Sequence, residues 1–597
     1  MSNFPGITID FMKDSPTEPN EIQTPIIEDN THQLRSLEIT FWVIAIILGF
    51  CHAWADHHYL INADAMSYLD IAEAYLRREW HTAINAYWSP LYSWLIALAL
   101  LIVRPSPYWK FAVLHLVNFA IYLFALGCFG FLIREMVRLQ QGRTRELLAA
   151  KLLTLPNRGL LALGYSLFIW SALYLITVQL ESPDMLVASF VYLACGLLLR
   201  IRRQPSSWVL FILFGIVLGF GYLGKSVMLP MALVFMFASM FSFGSLRRAL
   251  PRLAVTMAFF LLVAGPFVFA MSWSKGRLTT GLSGQLNYLW SINRVTNPHW
   301  QGDEPGHGKP RHTTRKIFDT PPAFEFGDPV GGTYPVWYDP TYWYEGSVRH
   351  FDFRQQLQVF QGGVKSYYEL FLGWGVQYGL FVGLVSLYLV SRRGRLLLQD
   401  LTQQLSLIIP AFAGLGLYAL VNVQGRYTAP FIVLLWMALF SGVRLLHTPE
   451  SQRFIKSITL VLVISMIFIT VASSSKEAVV TVRQLVAGED PSVHEQWQVA
   501  EGLREKGVVS TDKVAFIGDS FRAFWAHLLG IRIVAEIQRD KVVSFWEADS
   551  TVRVEVINAF ARSGAKAVVA ERPPLGTDLS GWQKIGSTDY YIYSLKN

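Results

Sequence analysis

Long apolar runs set the hydropathy pattern of this chain. They recur between residues 37 and 474, and most approach the roughly 20 residues that a helix needs to cross a bilayer core about 30 Å thick. Because lipid offers the backbone no hydrogen-bond partner, continuous apolar runs predict helices, whereas a β-barrel would show alternation. The predicted membrane helices, about eleven in all, are 37–54, 110–133, 159–178, 185–200, 208–224, 226–243, 252–273, 368–390, 403–421, 428–446 and 455–474.

One further apolar run, Leu91–Val103, is too short to span, since at about 1.5 Å per residue it covers about 20 Å. Leaving it out, with a cytoplasmic N-terminus, places every basic loop cluster in the cytoplasm. The clusters are Arg134/Arg138/Arg143/Arg145/Lys151/Arg158, Arg200/Arg202/Arg203, Arg247/Arg248/Arg252, Arg392/Arg393/Arg395 and Arg444/Arg453/Lys456. The loops 55–109 and 274–367 and the tail 476–597 are therefore expected on the non-cytoplasmic face of a plasma (inner) membrane.

Composition agrees with a multi-pass membrane protein. Of the 597 residues, 52% are hydrophobic and 16% are charged, too few charges to cover a soluble protein of this length. The net charge of +8 sits in short loops and forms no basic docking face, so nucleic acid is not an expected partner. Residues 1–36 are polar, acidic and proline-containing, which predicts a disordered cytoplasmic tail and not a signal peptide.

Two of the external segments have patterns of their own. The loop 274–367 is rich in aromatic residues, Pro and Gly, which suits either stacking against sugars or packing at the membrane interface. In the tail 476–597, strands near 514–517, 531–537, 566–569 and 590–595 alternate with helices near 494–506, 521–529 and 550–563. This alternation predicts a soluble α/β domain with a mainly parallel sheet.

The first external loop contains Asn62-Ala-Asp64-Ala-Met-Ser-Tyr68, followed by a short amphipathic helix. An acidic residue just after the first membrane helix, then a tyrosine and such a helix, resembles the first loop of the GT-C glycosyltransferase superfamily. That superfamily includes aminoarabinose transferases, protein O-mannosyltransferases and oligosaccharyltransferases. The resemblance implies that Asp64 contacts the acceptor and acts as its general base, which an attacking hydroxyl requires. The alternative is that Asp64 caps the helix at 65–77.

A second acidic pair lies between the third and fourth predicted membrane helices. The sequence there is Glu181-Ser-Pro-Asp184, and its Pro-Asp resembles a motif that recurs at this place in GT-C enzymes. The resemblance implies that Glu181 and Asp184, together with Tyr68, position the acceptor or a divalent cation, Mg²⁺ or Mn²⁺. The alternative for Asp184 is a helix cap that follows proline.

Two cationic residues at external helix ends are candidates for binding a lipid phosphate. Lys225 lies in a loop where GT-C relatives often carry a lysine, and Arg426-Tyr427-Thr-Ala-Pro430 resembles their late Arg-Tyr-x-x-Pro pattern. The resemblance implies that Lys225, Arg426 and Tyr427 bind the donor phosphate, whose oxygens suit the arginine fork. The alternatives are a lysine that snorkels to the interface and an arginine that pairs with headgroups.

Two other patterns are weaker. The histidines His299, His307 and His312 have no spacing typical of a metal pair on a helix. Gly518-Asp519-Ser520 after a strand resembles the opening block of SGNH-type esterases, but no histidine follows His527 to complete the triad in that order. Ordinary α/β architecture is the better interpretation of this block.

The GT-C resemblance covers about residues 37–475 through four short motifs in the expected order. It implies an inverting membrane glycosyltransferase that moves a sugar from a polyprenyl-phosphate carrier to an acceptor on the non-cytoplasmic side. The acceptor is left open as a glycan, a lipid or a protein. Two other hypotheses remain, a transporter or flippase for a lipid or polysaccharide and a non-catalytic assembly scaffold with this fold.

Overall fold

The computed structural model describes residues 25–143, 147, 149–243, 245–296, 298–327, 331–373, 375–390, 404–487 and 494–595. The predicted disordered tail falls mostly outside these residues, because its first 24 positions are not described. Residues 25–36 differ from the prediction and form the first turns of the opening helix. Pro25 begins this helix, at a position where the backbone N–H that proline lacks would have no partner within the helix. The polar turns after Pro25 continue directly into the apolar span.

Helices make up most of the described chain. The helices of the membrane part and its loops are α1 Pro25–Ala55, α2 Asp64–Leu76, α3 Trp80–Ala83, α4 Pro90–Val103, α5 Lys110–Gly142, α6 Asn157–Trp170, α7 Asp184–Arg203, α8 Trp208–Gly224, α9 Met228–Met240, α10 Leu246–Ser274, α11 Ser283–Ser291, α12 Pro335–Tyr338, α13 Pro340–Trp343, α14 Phe353–Leu372, α15 Val376–Val390, α16 Leu405–Ala419, α17 Gly425–Ser441, α18 Pro449–Ser473 and α19 Ser475–Ala487. A π-helical segment, Ser171–Ile176, continues α6.

Six of the described helices are long and apolar enough to cross a membrane, and the pair α14 and α15, bent by 75°, makes a seventh span if counted as one. The predicted count of about eleven is not reached on this measure. Four predicted segments form helices of 13 to 17 residues, and one is broken between α14 and α15. Polar and small residues interrupt these runs, as Lys225 does between α8 and α9. The 14-residue helix α4 is also short of a span.

Close helix packing holds the membrane part together. Gly215 of α8 lies directly against the backbone of α10, where an added Cβ would stand 2.3 Å from the carbonyl oxygen of Thr256. Small residues permit such close approach between helices in lipid, where van der Waals contact replaces the hydrophobic effect as the main attraction. A larger residue at position 215 would therefore push α8 and α10 apart.

The described tail contains the helices α20 Glu495–Glu505, α21 Phe524–Leu529, α22 Val542–Trp546 and α23 Ser550–Arg562. The strands are β1 Leu152–Leu153, β2 Arg315–Phe318, β3 Ala323–Glu325, β4 Leu445–Leu446, β5 Lys513–Gly518, β6 Arg532–Gln538, β7 Ala567–Glu571, β8 Gln583–Lys584 and β9 Tyr590–Ser594. β1 and β4 form a small antiparallel pair, and the other seven form one sheet in the order β2-β3-β6-β5-β7-β9-β8.

This sheet differs from the predicted one in two ways. Only its inner strands β6, β5 and β7 are parallel, because β9 returns beside β7 without an intervening helix and pairs antiparallel to it. In addition, β2 and β3 come from the loop 274–367, and β3 pairs with β6 through Phe324 opposite Glu536. The sheet is therefore built jointly by the tail and the aromatic loop.

Candidate active site

A cavity of about 400 Å³ opens among the helix ends that carry the candidate residues. Its walls come from the start of α2, the start of α7, the turn between α8 and α9, the segment 280–287, and the adjoining ends of α16 and α17. Six of the seven predicted site residues line it, namely Asp64, Tyr68, Asp184, Lys225, Arg426 and Tyr427. These residues lie far apart in sequence, so the fold alone brings them together.

Asp64 is the first residue of α2 and does not cap it. The N-cap position belongs to Ala63, which makes no side-chain capping bond. The Asp64 carboxylate instead accepts hydrogen bonds from the indole of Trp337 at 3.2 Å and from the side-chain amide of Asn62 at 3.1 Å. Burial raises the pKa of Asp64, while Arg426 and these two donors act to lower it. A carboxylate with a raised pKa is a stronger proton acceptor.

Asp184 is the centre of a buried charge cluster and likewise makes no capping bond to α7. Its carboxylate is 3% exposed and accepts a hydrogen bond from Lys225 Nζ at 2.5 Å. The Nε atom of Arg426 lies 3.6 Å from its second oxygen, to which the hydroxyl of Ser182 donates at 2.9 Å. Burial opposes the charge of Lys225, but Asp184 outweighs it, so the pKa of Lys225 is raised and the ammonium stays charged.

Tyr427 supports both cations from one side. The Lys225 ammonium lies 3.9 Å from the centre of its ring, and the Arg426 guanidinium lies 4.8 Å from it. Arg426 also donates to the Tyr427 hydroxyl at 2.9 Å. The ring stacks on Tyr418 with 5.4 Å between centroids, which fixes its plane. Cation–π contacts of this kind hold two like charges side by side in a partly buried place.

Tyr68 is buried at the wall of the cavity, one helical turn beyond Asp64. Its ring meets Trp88 and Tyr92 edge to face, with 4.9 Å between centroids in both pairs. Trp88 lines the same cavity. Tyr68 and Trp88 therefore give this side of the cavity a rigid aromatic wall.

Glu181 is the one predicted site residue that does not line the cavity. It is fully buried and accepts hydrogen bonds from the backbone N–H groups of Ile61 and Asn62 at 3.1 to 3.3 Å. His115 Nε2 lies 3.3 Å from its carboxylate. Burial raises the pKa of Glu181 to about 8. Its contacts position the turn that carries Asn62, and through Asn62 they act on Asp64.

Trp337, Asn62 and Tyr418 are site residues that the sequence did not single out. Trp337 belongs to the aromatic-rich loop 274–367 that the sequence analysis described, but nothing in the pattern distinguished this residue from its neighbours. Its backbone carbonyl accepts from Ser67 at 3.0 Å, which seats this part of the loop on α2. Contacts between residues this distant leave no local trace in a single sequence.

The remaining candidates do not join the cavity. His299 pairs with Glu536 at 2.6 Å, and His312 pairs with Glu345 at 3.1 Å. Within the described residues, no group of three or more His, Cys, Asp or Glu side chains is arranged to hold one metal ion. His527 bonds to Asp70 at 2.8 Å and is not paired with Ser520, in keeping with an ordinary α/β role for the Gly-Asp-Ser block.

No protein-family model and no curated protein sequence matches the chain. Solved structures do match its fold. ArnT from Cupriavidus metallidurans in the apo state aligns with a TM-score of 0.50 at 12% identity, covering 93% of this chain and 96% of that one. The same protein bound to undecaprenyl phosphate aligns with a TM-score of 0.50 at 11% identity, covering 93% and 97%.

The oligosaccharyltransferase of Archaeoglobus fulgidus, in a complex with Zn and sulfate, aligns with a TM-score of 0.46 at 13% identity, covering 90% of this chain and 68% of that one. ArnT, an aminoarabinose transferase, and the archaeal oligosaccharyltransferase are both GT-C glycosyltransferases. The likeness to ArnT extends over nearly the whole of both chains. The predicted GT-C-like fold is therefore confirmed at the level of architecture.

Proposed function

We propose that this chain, which has the fold of the GT-C glycosyltransferases, transfers a sugar from a polyprenyl-phosphate carrier to an acceptor on the non-cytoplasmic side of the membrane. One observation supports this most directly. A single cavity holds a carboxylate with a raised pKa, Asp64, and a separate cationic pair, Lys225 and Arg426. Sugar transfer from a lipid phosphate needs both, a base for the acceptor and positive charge for the leaving phosphate.

The reaction is a single displacement. Asp64 accepts the proton of the acceptor's nucleophilic group, whose electron pair forms a bond to the anomeric carbon of the donor. The bond between that carbon and the phosphate oxygen breaks at the same time, and its electron pair leaves with the phosphate. Lys225 and Arg426 stabilise the charge that develops there. Attack opposite the leaving group inverts the anomeric configuration.

Asp184 orients the two cations before the donor arrives. It holds Lys225 and Arg426 through opposite oxygens, so each cation keeps donors free for a phosphate. Tyr68 shapes the acceptor side, and Glu181 positions the loop that carries Asn62. If the reaction uses a divalent cation, Asp64 and Asp184 are the two carboxylates of the cavity that would share it.

The apolar part of the cavity suits a lipid donor. Val227, Leu229, Leu417 and Val421 line the same space as the charged groups. A polyprenyl phosphate presents a hydrocarbon chain and an anionic head together, and this lining meets both. The ArnT structure of the same fold contains undecaprenyl phosphate, a molecule of that class.

The location of the charges counts against a transporter. Transporters place ionisable groups near the bilayer midplane, whereas Asp64, Asp184 and Arg426 lie at the first turns of their helices and Lys225 follows the end of α8. A non-catalytic scaffold would keep the fold and lack the reaction. An activity measurement separates that hypothesis from the proposed one.

The test is transfer by the purified chain, with the donor identified by mass spectrometry of the lipid that co-purifies with it. Asp64→Asn keeps the shape of the side chain and removes the base, so we expect labelled sugar transfer to fall by about 100-fold or more. Asp319→Asn, a matched change at a carboxylate that is 90% exposed, is expected to leave transfer unchanged. Undiminished transfer by Asp64→Asn would exclude Asp64 as the base.

A further inference from the structure

A second cavity, of about 620 Å³, lies at the carboxyl ends of the parallel strands β5 and β6. Its floor begins at Gly518, the last residue of β5, and at Gln538, the last residue of β6. Loops that follow the carboxyl ends of parallel strands are the usual binding place in α/β sheets, because side chains from neighbouring loops converge there. The proposed transfer chemistry does not use this space.

One buried polar group in this cavity lacks a protein partner. The hydroxyl of Ser520 lines the cavity in a residue that is 2% exposed, and no described residue hydrogen-bonds to it. A buried hydroxyl without a partner costs about 1 to 3 kcal/mol, so its retention suggests a ligand or a water at that point. Ser520 directly follows Asp519, whose carboxylate also lines the cavity.

The opposite wall is rigid and aromatic. The hydroxyl of Tyr334 donates to Oε1 of Glu536 at 2.9 Å, and His299 Nε2 lies 2.6 Å from the same oxygen. The ring of Tyr334 meets Phe521 edge to face, with 5.2 Å between centroids. Aromatic faces are electron-rich and pack against the polarised C–H face of a sugar ring. Tyr334 is itself buried, so the half-buried ring of Phe521, which Tyr334 supports, is the part of this wall that offers a sugar an apolar face beside the polar floor.

The charges in the lining select between ligand classes. Three carboxylates, those of Asp519, Glu536 and Asp540, face one guanidinium, that of Arg539. Asp519 and Arg539 are already paired at 3.3 Å. Asp540 is likewise paired with Lys541 at 3.3 Å, and Glu536 already accepts from Tyr334. Because the one guanidinium of the lining is paired with Asp519, the described lining offers a phosphate or another strong anion no unpaired cation, whereas its carboxylate oxygens can accept from hydroxyl and ammonium groups.

An aromatic contact lies between this cavity and the first. Phe521 packs on Trp337 with 5.2 Å between ring centroids, and Trp337 donates to Asp64. An acceptor of several sugar rings held in the second cavity would reach the carboxylate that we assign as the base by passing over these two rings.

We propose that the second cavity is a saccharide subsite that holds the distal part of the acceptor, a hydroxyl-rich glycan that is neutral or carries amines. The acceptor role rests on the proposed transferase function, but saccharide binding itself does not. The residues that would contact the sugar are Ser520, Phe521 and Gln538, with Tyr334 as the fixed wall.

The test is direct binding to the full-length chain in detergent, measured by calorimetry with three probes. A glucosamine tetrasaccharide and its N-acetylated form are expected to bind in the millimolar range or tighter, and both more tightly than a tetragalacturonate. Gln538→Ala should weaken binding of the first two by about fivefold, the equivalent of one lost hydrogen bond. Gln583→Ala, a matched deletion of an exposed amide on β8, should leave it unchanged.

Asp64→Asn is expected to keep saccharide binding while it loses transfer. A failure of the subsite proposal can therefore be distinguished from a failure of the proposed transferase function. Loss of binding in Asp64→Asn with no effect of Gln538→Ala would place the sugar in the first cavity and overturn the subsite. Absence of binding by both amino-sugar probes, or preference for the tetragalacturonate, would also overturn it. Gln538 is the half-buried last residue of the inner strand β6, so an unchanged unfolding temperature of Gln538→Ala checks that its fold is intact.

Discussion

Asp64 combines burial with two hydrogen bonds that favour its charged form. Burial raises its pKa, and the indole N–H of Trp337 opposes that rise because it donates to the ionised carboxylate. A base must be ionised to act, so the logarithm of kcat/KM for transfer should increase with pH until Asp64 has lost its proton. The balance between burial and the Trp337 bond thus sets the acid limb of the activity profile.

Trp337→Phe removes that hydrogen bond and keeps the aromatic packing. The pKa of Asp64 should then rise further, and the acid limb of the profile should move to higher pH by about one unit, because a pKa unit corresponds to about 1.4 kcal/mol and a hydrogen bond to a charged group is of that size. The measurement is kcat/KM against pH for both proteins. An acid limb that stays in place would show that another group controls it.

At the scale of elements, the segment Thr333–Trp343 connects the membrane part to the sheet. Its first residue, Thr333, hydrogen-bonds to both of these parts. The Thr333 N–H and hydroxyl donate to Asp70 of α2 at 2.6 and 2.9 Å, and the Thr333 carbonyl accepts from Ile533 of β6 at 2.9 Å. His527 of α21 reaches the same carboxylate. Asp70 therefore anchors the segment that places Trp337 over Asp64.

Asp70→Asn replaces one carboxylate oxygen, which accepts a hydrogen bond, with an NH₂ group. This group would face the donor that the oxygen used to accept from. We expect a loss of folding free energy on the order of 2 kcal/mol, because buried donors lose a charged acceptor. Hydrogen exchange over 333–343 should accelerate and kcat should fall, while donor binding at Lys225 and Arg426 is retained. Glu79→Gln, an exposed change near the end of α2, serves as the control. Unchanged exchange in 333–343 would contradict the anchoring role.

At the scale of the whole molecule, the basic loops imply which way the chain lies across the bilayer. Arg247 lies exposed in the first turn of α10, and Asp319 lies in the loop that contributes β2 and β3. The charge distribution predicts that the first faces the cytoplasm and the second faces outward. The two cavities share the face of Asp319 in this orientation.

Single cysteines test the orientation. In a Cys51→Ala background, Asp319→Cys should react with a membrane-impermeant maleimide on intact cells, and Arg247→Cys should react only after the cells are opened. Cys128 and Cys195 are buried and should not contribute. The reverse labelling pattern would invert the proposed sidedness and place both cavities in the cytoplasm.

The sequence located the charged groups of the site better than their surroundings. Asp64, Asp184, Lys225 and Arg426 each stand where an apolar run meets a polar loop, a boundary that hydropathy reveals, and a family motif marked each of them. Trp337 and His527 could not be found in this way, since their partners lie hundreds of residues distant. The predicted count of about eleven spans is not confirmed, because hydropathy does not show where α14 and α15 bend or that four of the predicted segments form helices of only 13 to 17 residues.

The shared sheet has a consequence for the order in which the protein is made. β3 completes its pairing only when β6 is present, and β6 follows it by about 200 residues. In the proposed orientation the aromatic loop is exported well before the tail, so the edge of β3 stays unpaired while the four apolar helices α15 to α18 are inserted. The surroundings of Asp64 are therefore completed last, and a chain truncated before residue 532 would have its membrane helices but lack the bond from Ile533 that holds Thr333.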